Sequence, residues 1–180
     1  MLFLQTIMGL RLTFAKKKLT TKLDTVSREK KVVNLDSART AGILWEFSQK
    51  DAFDLLEKEL LAHQIKPVGL CYFKSKKAVI PEGINGFSRK QVSWKDAPDL
   101  QLVQDFIHEK FDLLIDLTRQ NYFPLAYVTA LSEAAFKIGS SGFAPNYFDL
   151  NIEFATEPEP VQLAEQILYY LKRINKTTIE

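Results

Sequence analysis

The amino-acid sequence predicts an α/β protein: a three-layer sandwich with a mainly parallel central sheet, Rossmann-like or flavodoxin-like, preceded by a basic helical arm. Two observations support this prediction. From about residue 40 onward, short apolar runs alternate with segments of helical periodicity, which is typical of parallel strands joined by crossovers. The first 35 residues are also far more basic than the rest. We therefore predict an arm at residues 1–35 and a single α/β domain at residues 36–180.

The first strand and helix of the domain are predicted from an apolar run and the pattern that follows it. Residues 41–47 form a short apolar run typical of a buried strand. Ser48 then stands three residues before Asp51, a spacing that resembles a capping box at the start of a helix. The inner face of this helix is predicted to carry Phe53, Leu56 and Leu60.

The next elements are two strands and a second helix. Pro67 ends the first helix and opens the apolar run at residues 68–73, which we predict as a strand. A weaker strand candidate follows at residues 87–94. Asp96 and Pro98 are typical of a helix start. The inner face of this helix is predicted to carry Val103, Phe106 and Ile107.

Residues 113–117 are the clearest buried strand, because four of the five side chains are aliphatic. Asn121 and Pro124 suit the start of a third helix, and a short strand is predicted at residues 136–139. The third helix is predicted to turn Tyr127, Ala130, Leu131 and Ala134 inward.

The last strand and helix are predicted from a strict alternation and a second capping pattern. Residues 148–154 alternate apolar and polar side chains, as a strand with one solvent-facing surface would. Thr156 and Glu159 then resemble a capping box before the final helix. The inner face of this helix is predicted to carry Leu163, Ala164, Ile167, Leu168 and Leu171.

Charge is distributed unevenly along the chain, although the formal net charge is only +2. Residues 1–31 carry eight basic and two acidic side chains, whereas the remaining residues carry 16 basic and 20 acidic ones. A basic arm on a mildly acidic body predicts an anionic partner for the arm, either membrane headgroups or ribosomal RNA. The residues predicted to dock on that surface are Arg11, Lys16, Lys17, Lys18 and Lys22. The alternative is that the apolar residues of the arm pack on the body and its lysines are only solvated.

The apolar beginning of the chain does not fit a targeting segment. Its positive cluster follows the apolar stretch instead of preceding it, which is the wrong order for a signal peptide. Gln5, Thr6 and Arg11 interrupt the run before it reaches the length of a spanning helix. Met8 is an alternative start. We therefore expect a cytoplasmic protein, with attachment to the periphery of the inner membrane as an alternative.

Several chemistries lack their signatures in this sequence. His63 and His108 are far apart and form no zinc spacing with the single cysteine, Cys71, which lies in an apolar run and is expected to be a buried hydrophobe. Neither a phosphate-binding P-loop, nor a G-x-G-x-x-G after the first strand, nor a serine-nucleophile elbow occurs. The body is not basic enough to track a phosphate backbone. We expect no cofactor, no metal and no sequence-specific DNA binding.

A ligand of the body is predicted to bind outside the carboxyl ends of the strands, where parallel sheets place their sites. The candidates there are Glu46, Ser48, Asp116, Thr118, Lys137, Gly139 and Ser140. Asp116 and Thr118 have two interpretations. Either they line a ligand cleft, or Asp116 caps a neighbouring loop or helix, because burying a carboxylate without partners is costly.

The segment from Gly139 to Gly142 also has two interpretations. Its backbone N–H groups could wrap an anion, with Lys137 as the partner cation, or the segment is a plain turn.

Two resemblances add to this reading. Residues 28–35, 41–44, 111–118 and 169–176 resemble a family of short proteins of unknown function from Bacteroidetes, which implies a cytoplasmic bacterial protein with no assigned activity. Residues 111–117 and 136–139 are similar to a strand–helix–strand segment in the N-terminal half of lipopolysaccharide heptosyltransferases. Those enzymes bind a sugar nucleotide chiefly through a second domain, so this similarity implies shared architecture.

The sequence leaves two hypotheses of function. The leading one is a non-catalytic binding or adaptor module that docks through its basic arm on an anionic surface, while the body contacts a protein or a small ligand. The competing one is a small transferase-like enzyme that uses Asp116, Thr118 and the Gly139 loop on a phosphorylated or sugar substrate.

Overall fold

The computed structural model describes residues 13, 15–92, 98, 100–119, 122–142 and 145–174. Within these residues the strands form one six-stranded sheet in which every pairing is parallel. The strands are β1 Thr40–Glu46, β2 Lys66–Phe73, β3 Gly86–Ser88, β4 Leu113–Asp116, β5 Phe136–Gly139 and β6 Leu150–Asn151.

The strand order is β3-β2-β1-β4-β5-β6. Strand β1 pairs with both β2 and β4, with Gly42 opposite Val68 on one side and Leu114 on the other. Strands β2, β1 and β4 are therefore adjacent and parallel, in agreement with the predicted parallel sheet. This order is the Rossmann arrangement and not the flavodoxin one, and it reverses between β1 and β4.

Helices cover both faces of the sheet and complete the predicted three layers. The helices are α1 at residues 15–23, α2 Lys50–Ala62, α3 Gln101–His108, α4 Phe123–Leu131 and α5 Pro160–Arg173. Helices α2 and α5 pack on one face with Ile43, Ile115 and Ile138, while α1, α3 and α4 pack on the other with Leu44 and Leu114. Successive strand residues point to opposite faces, so two hydrophobic cores form, one on each side of the sheet.

The predicted inner faces of three helices are confirmed. Leu56 and Leu60 of α2 are buried and Phe53 packs against them partly buried. In α3 the buried residues are Val103, Phe106 and Ile107, and in α5 they are Leu163, Ala164, Ile167, Leu168 and Leu171. Ala134 is buried as predicted, although it lies beyond the end of α4.

Both predicted capping boxes are wrong in their residues. Ser48 lies within a 3-10 turn that begins directly after β1. The capping box of this turn is formed by Glu46 and Gln49: the Glu46 side chain accepts from the Gln49 backbone N–H, and the Gln49 side chain accepts from the Glu46 backbone N–H. The cap of α5 is formed by Glu159 and Gln162, and Pro160 fixes the first helical residue, so Thr156 is not involved. The first capping box therefore starts at the last residue of β1, and the second starts at the residue before Pro160.

Three element boundaries also differ from prediction. The strand predicted at residues 148–154 is only two residues long, and since its neighbour β5 ends at Gly139, no strand residue of β5 lies opposite the chain after Asn151. The weak strand at residues 87–94 ends at Ser88 in a 3-10 turn, and α3 begins only at Gln101. Asp96 and Asn121 lie outside the described residues.

The described part of the arm packs on the body. Ala15 and Leu19 of α1 are buried, and Leu19 belongs to the core that α3 and α4 form. Further along, the Lys31 N–H donates to the Ala135 carbonyl, and Val33 enters the opposite core. The predicted boundary after residue 35 remains a prediction.

Candidate functional site

The carboxyl edge of the sheet brings most of the predicted site residues together, but it divides them into two groups. Glu46 ends β1 and lies near β2, whereas Ser140 follows β5 and lies near β6. Asp116 ends β4, between these groups, and is fully buried. The contacts of each set of residues therefore decide whether it could bind a ligand.

Asp116 is a structural hub within the described residues. One carboxylate oxygen accepts from the Thr118 N–H at 2.7 Å and from the Thr118 hydroxyl at 2.6 Å, and the other accepts from the Thr129 hydroxyl at 2.6 Å. Burial raises the pKa of Asp116 to about 6, although these hydrogen bonds act in the opposite direction. Asp116 and Thr118 line none of the described cavities. The structure thus favours the capping interpretation over the ligand cleft.

Glu46 forms an ion pair over a small cavity between the ends of β1 and β2. Its carboxylate lies 2.6 Å from the Lys74 ammonium, and the Glu46 side chain is only 4% exposed. The hydrogen bond to Glu46 raises the pKa of Lys74, whose Nζ also lies 5.0 Å from the centre of the Tyr122 ring. Ser48 is exposed beside it, at the rim of a cavity of about 340 Å³. Lys74 is satisfied by these two partners.

Gly139 is required by packing. A Cβ atom there would lie 2.6 Å from the Phe148 ring and 2.8 Å from the Asp116 carbonyl oxygen. In the turn that follows, the Ser141 N–H donates to the Asn151 side chain at 2.7 Å and is therefore already used. This arrangement favours the plain-turn interpretation over an anion-wrapping loop.

Lys137 lies on the α4 side of β5 and is almost fully buried. Its ammonium donates to the carbonyl oxygens of Thr129 at 2.7 Å and Ala130 at 3.1 Å, near the C-terminus of α4. Burial and, to a lesser extent, the nearby Arg28 charge lower the pKa of Lys137 to about 7. The ammonium therefore binds helix carbonyls and not the Gly139 turn, which again favours the plain-turn interpretation.

A cavity of about 560 Å³ lies at the carboxyl ends of β4, β5 and β6. We call it the edge cavity. Sequence reasoning found only Ser140 and the glycine turn of its lining. It missed Arg119, Asn151 and Glu157. Arg119 follows the end of β4 by three residues, so the expectation that ligands bind at the carboxyl ends of the strands could have included it. The residues that line it are Arg119, Ser140, Ser141, Gly142, Asn146, Asn151, Glu153, Phe154, Ala155, Thr156 and Glu157.

The basic helix α1 presents three lysines in a row. Lys16, Lys17 and Lys18 are exposed, and we call them the lysine triplet. Lys22 has a different environment, because its ammonium donates to the Tyr127 hydroxyl at 2.8 Å and lies 5.5 Å from the centre of that ring. Arg11 lies outside the described residues. Three of the five predicted docking residues are thus exposed on α1.

Other kinds of site find little support in the described part of the chain. No group of three His, Cys, Asp or Glu side chains there could hold a metal ion. None of the described helices combines the length and the hydropathy that crossing a membrane requires. Cys71 is buried as predicted, and burial raises the pKa of its thiol to about 12, which opposes thiolate chemistry.

Comparison with known proteins gives one match. A family model described as "Family of unknown function (DUF6913)" matches residues 11–174, which is nearly the whole chain. No curated protein and no solved structure matches at a significant level. The resemblances to Bacteroidetes proteins and to heptosyltransferases therefore remain predictions.

Proposed function

We propose that this chain, which belongs to the DUF6913 family of unknown function, is a non-catalytic binding module that docks through its basic N-terminal region on an anionic membrane. The observation that carries the proposal is the lysine triplet, held in solvent by a helix that is fixed to the body. On this proposal the protein works in the cytoplasm, at the inner face of the inner membrane. The resemblance to Bacteroidetes proteins supports such a bacterial setting.

The triplet is positioned by the packing of α1. Ala15 and Leu19 are buried one helical turn apart, and the three lysines between them are exposed. Lys22, at the end of the helix, is tied to Tyr127 of α4. Within the described residues, Lys16, Lys17 and Lys18 form no ion pair, so no described side chain neutralises their charges. A helix held in this way loses little conformational freedom when it docks.

The sequence next to the triplet favours a membrane over RNA. Residues 1–12 contain eight large apolar side chains and a single charged one, Arg11. Stable membrane attachment usually needs two signals, and an apolar segment beside a basic cluster supplies both. RNA recognition would instead call for a basic groove with stacking platforms, whereas residues 32–180 carry more acidic than basic side chains. Of the apolar residues of α1 itself, Ala15 and Leu19 are already buried in the body and Leu23 is partly buried.

Co-sedimentation with lipid vesicles tests the proposal. The full chain is mixed with vesicles of phosphatidylcholine containing phosphatidylglycerol, and with pure phosphatidylcholine vesicles, across a salt series. The test variant is Lys16→Glu, Lys17→Glu, Lys18→Glu. The matched control reverses three other exposed lysines, Lys58, Lys76 and Lys77, so the net charge changes equally.

The unaltered chain should bind the anionic vesicles, and binding should fall steeply toward physiological salt, where the Debye length is about 8 Å. Each lysine near an anionic surface contributes about 1 kcal/mol, so reversing the triplet should weaken binding on the order of 100-fold or more. The control should bind like the unaltered chain. Equal binding by the triplet variant would overturn the proposal. Salt-sensitive pelleting with ribosomes but not with vesicles would reassign the triplet to ribosomal RNA.

The edge cavity favours a second candidate function, a small transferase-like enzyme acting on a phosphorylated or sugar substrate. Its support is the position of the cavity at the strand ends, where Ser140 and the carboxylate of Glu153 both line it. Asp116 and Thr118 lend no support, since both are buried outside it. The test is phosphate or nucleotide release from a panel of sugar nucleotides and sugar phosphates. Turnover that Glu153→Gln abolishes would favour the enzyme over the binding module.

A further inference from the structure

The geometry of the edge cavity points to a binding site for a small phosphorylated molecule that also carries hydroxyl groups. We propose that Arg119 and Ser140 hold the phosphate group there, and that Glu153 accepts hydrogen bonds from the hydroxyls. This inference concerns binding alone and rests on none of the residues of the lysine triplet. It therefore stands or fails separately from membrane docking.

Arg119 is held at the cavity by an unusual backbone conformation. Its φ of 56° lies in the left-handed region, which costs a non-glycine residue on the order of 1 kcal/mol or more. The preceding Thr118 is fixed by two hydrogen bonds to Asp116, so the buried carboxylate imposes the turn. Such strain persists where the surroundings over-determine it, and it is found often at binding sites. Here it places an arginine at the end of a central strand.

The Arg119 guanidinium has N–H groups that donate to no described residue. A guanidinium carries five N–H groups, yet among the described residues Arg119 forms one hydrogen bond, from Nη1 to the Glu157 carboxylate. Its Nε is buried without a partner there. Burying a donor unsatisfied costs free energy, and a phosphate oxygen would satisfy it after a small adjustment of the side chain.

Glu157 is the group that an incoming phosphate would displace. The Glu157 side chain is 75% exposed, whereas that of Arg119 is only 22% exposed. Releasing an exposed carboxylate into water costs little, since ion pairs at the surface contribute only about 0–1 kcal/mol. A phosphate with three acceptor oxygens can then form the two parallel hydrogen bonds for which a guanidinium is shaped. Glu157 thus acts as an internal substitute for the ligand.

The turn after β5 adds a polar part to the lining of the cavity. Ser140 is only 5% exposed, lines the cavity, and has no hydrogen-bond partner among the described residues. The neighbouring Ser141 is fixed by two hydrogen bonds to Asn151, from its N–H at 2.7 Å and to its carbonyl at 3.2 Å. A turn fixed in this way presents the Ser140 hydroxyl without a cost of ordering it on binding.

The other residues that line the cavity indicate which groups the ligand carries besides its phosphate. Glu153 is an exposed carboxylate and accepts hydrogen bonds only, so it disfavours a bare anion and favours hydroxyl groups. Asn146 adds an amide that can donate or accept. A volume of about 560 Å³ is in the range of small-molecule sites and leaves room beyond a phosphate. A phosphorylated polyhydroxyl molecule satisfies both charges of the site.

Isothermal titration of the full chain tests the site with three probes: a hexose phosphate, the free hexose and inorganic phosphate. The hexose phosphate should bind more tightly than either of the other two. Arg119→Gln should weaken its binding about 10- to 100-fold, as expected for a lost hydrogen bond to a charged group. The control Arg39→Gln, at an exposed arginine before β1, should bind like the unaltered chain.

Glu157→Gln distinguishes a binding role of Arg119 from a purely structural one. Removing the competing carboxylate frees the guanidinium, so affinity for the hexose phosphate should rise about 2- to 5-fold. A structural ion pair predicts no such gain. Thermal melting of each variant confirms that it is folded. Failure of all three probes to bind, or equal affinity of the unaltered chain and Arg119→Gln, would overturn the proposal.

Discussion

The Thr129 hydroxyl of α4 donates to the Asp116 carboxylate of β4 at 2.6 Å, with both side chains fully buried. The second oxygen of the same carboxylate accepts from the backbone and side chain of Thr118. One carboxylate thus connects the central strand, the turn that carries Arg119 and the helix above it. The position of the edge cavity depends on this connection.

Asp116→Ala should lower the free energy of unfolding by about 2 kcal/mol or more, because it removes the acceptor of three buried hydrogen bonds and creates a cavity. Chemical denaturation measures the loss. Asp54→Ala is the control, since Asp54 is exposed and, among the described residues, pairs only with Lys50 one turn away, so its effect should stay within about 0.5 kcal/mol. If Asp116→Ala lowered the free energy of unfolding as little as the control does, the hydrogen bonds of Asp116 would not stabilise the fold.

Asp116 should also make stability depend on pH in an unusual direction. Burial raises the pKa of Asp116 from 3.8 to about 6 in the folded chain, so between these values the folded state binds more protons than the unfolded state. Its contribution is therefore complete below about pH 4 and is lost as the pH rises through about 6.

Asp116→Asn cannot titrate and isolates this effect. The unfolding free energy of the unaltered chain minus that of the variant should decrease from pH 4 to pH 6. Because the other carboxyl groups are present in both proteins, their contribution to the pH dependence cancels in this difference. A difference that is flat or rises over this interval would show that the carboxyl is not destabilised by burial.

Local sequence patterns were sufficient for the fold. The apolar run of β4 and the 3.6-residue spacing of α5 each need only their own residues, so they predicted the parallel sheet and the buried helix face correctly. The capping boxes failed because Thr156 with Glu159 and Glu159 with Gln162 have equal spacing, and only the position of Pro160 decides between them.

The candidate site was harder to predict because its contacts are distant in sequence. Arg119 meets Glu157 only after β5 and β6 have formed between them. Lys137 follows the strand alternation, but which partner it finds depends on where α4 ends. No local pattern contains that information, because it follows from the packing of helices on the sheet.

Gly139, the last residue of β5, and Gly142 in the turn after it should respond differently to the same substitution. Gly139→Ala places a Cβ within 3 Å of the Phe148 ring and the Asp116 carbonyl, so it should destabilise the chain by about 1–3 kcal/mol. Gly142→Ala meets nothing within 4 Å and should change stability by less than about 0.5 kcal/mol. Thermal or chemical unfolding of both variants checks this. Equal effects would mean that Gly139 is not a packing glycine.

Arg28 should contribute most of the attachment between the basic segment and the body. Its guanidinium binds the Asp149 carboxylate through two hydrogen bonds, of 2.7 and 2.6 Å, and the two side chains are only 10% and 16% exposed. Arg28→Met should therefore lower the free energy of unfolding by about 2 kcal/mol or more, since it leaves a largely buried carboxylate without its main partner. Lys30→Met is the control, because Lys30 approaches the same carboxylate at 3.7 Å but is 71% exposed.

The pH dependence of this effect has the opposite sign to that of Asp116. Burial alone would raise the pKa of Asp149, but the hydrogen bonds from Arg28 and from the Lys137 N–H outweigh it and hold the pKa below 3.8. The contribution of Arg28 is therefore complete above about pH 4 and is lost as the pH falls through the lowered pKa of Asp149. The stability difference between the unaltered chain and Arg28→Met should accordingly shrink in acid. A constant difference down to acid pH would mean that Arg28 stabilises the chain through its bonds to the Ala134 and Ala135 carbonyls, which do not titrate.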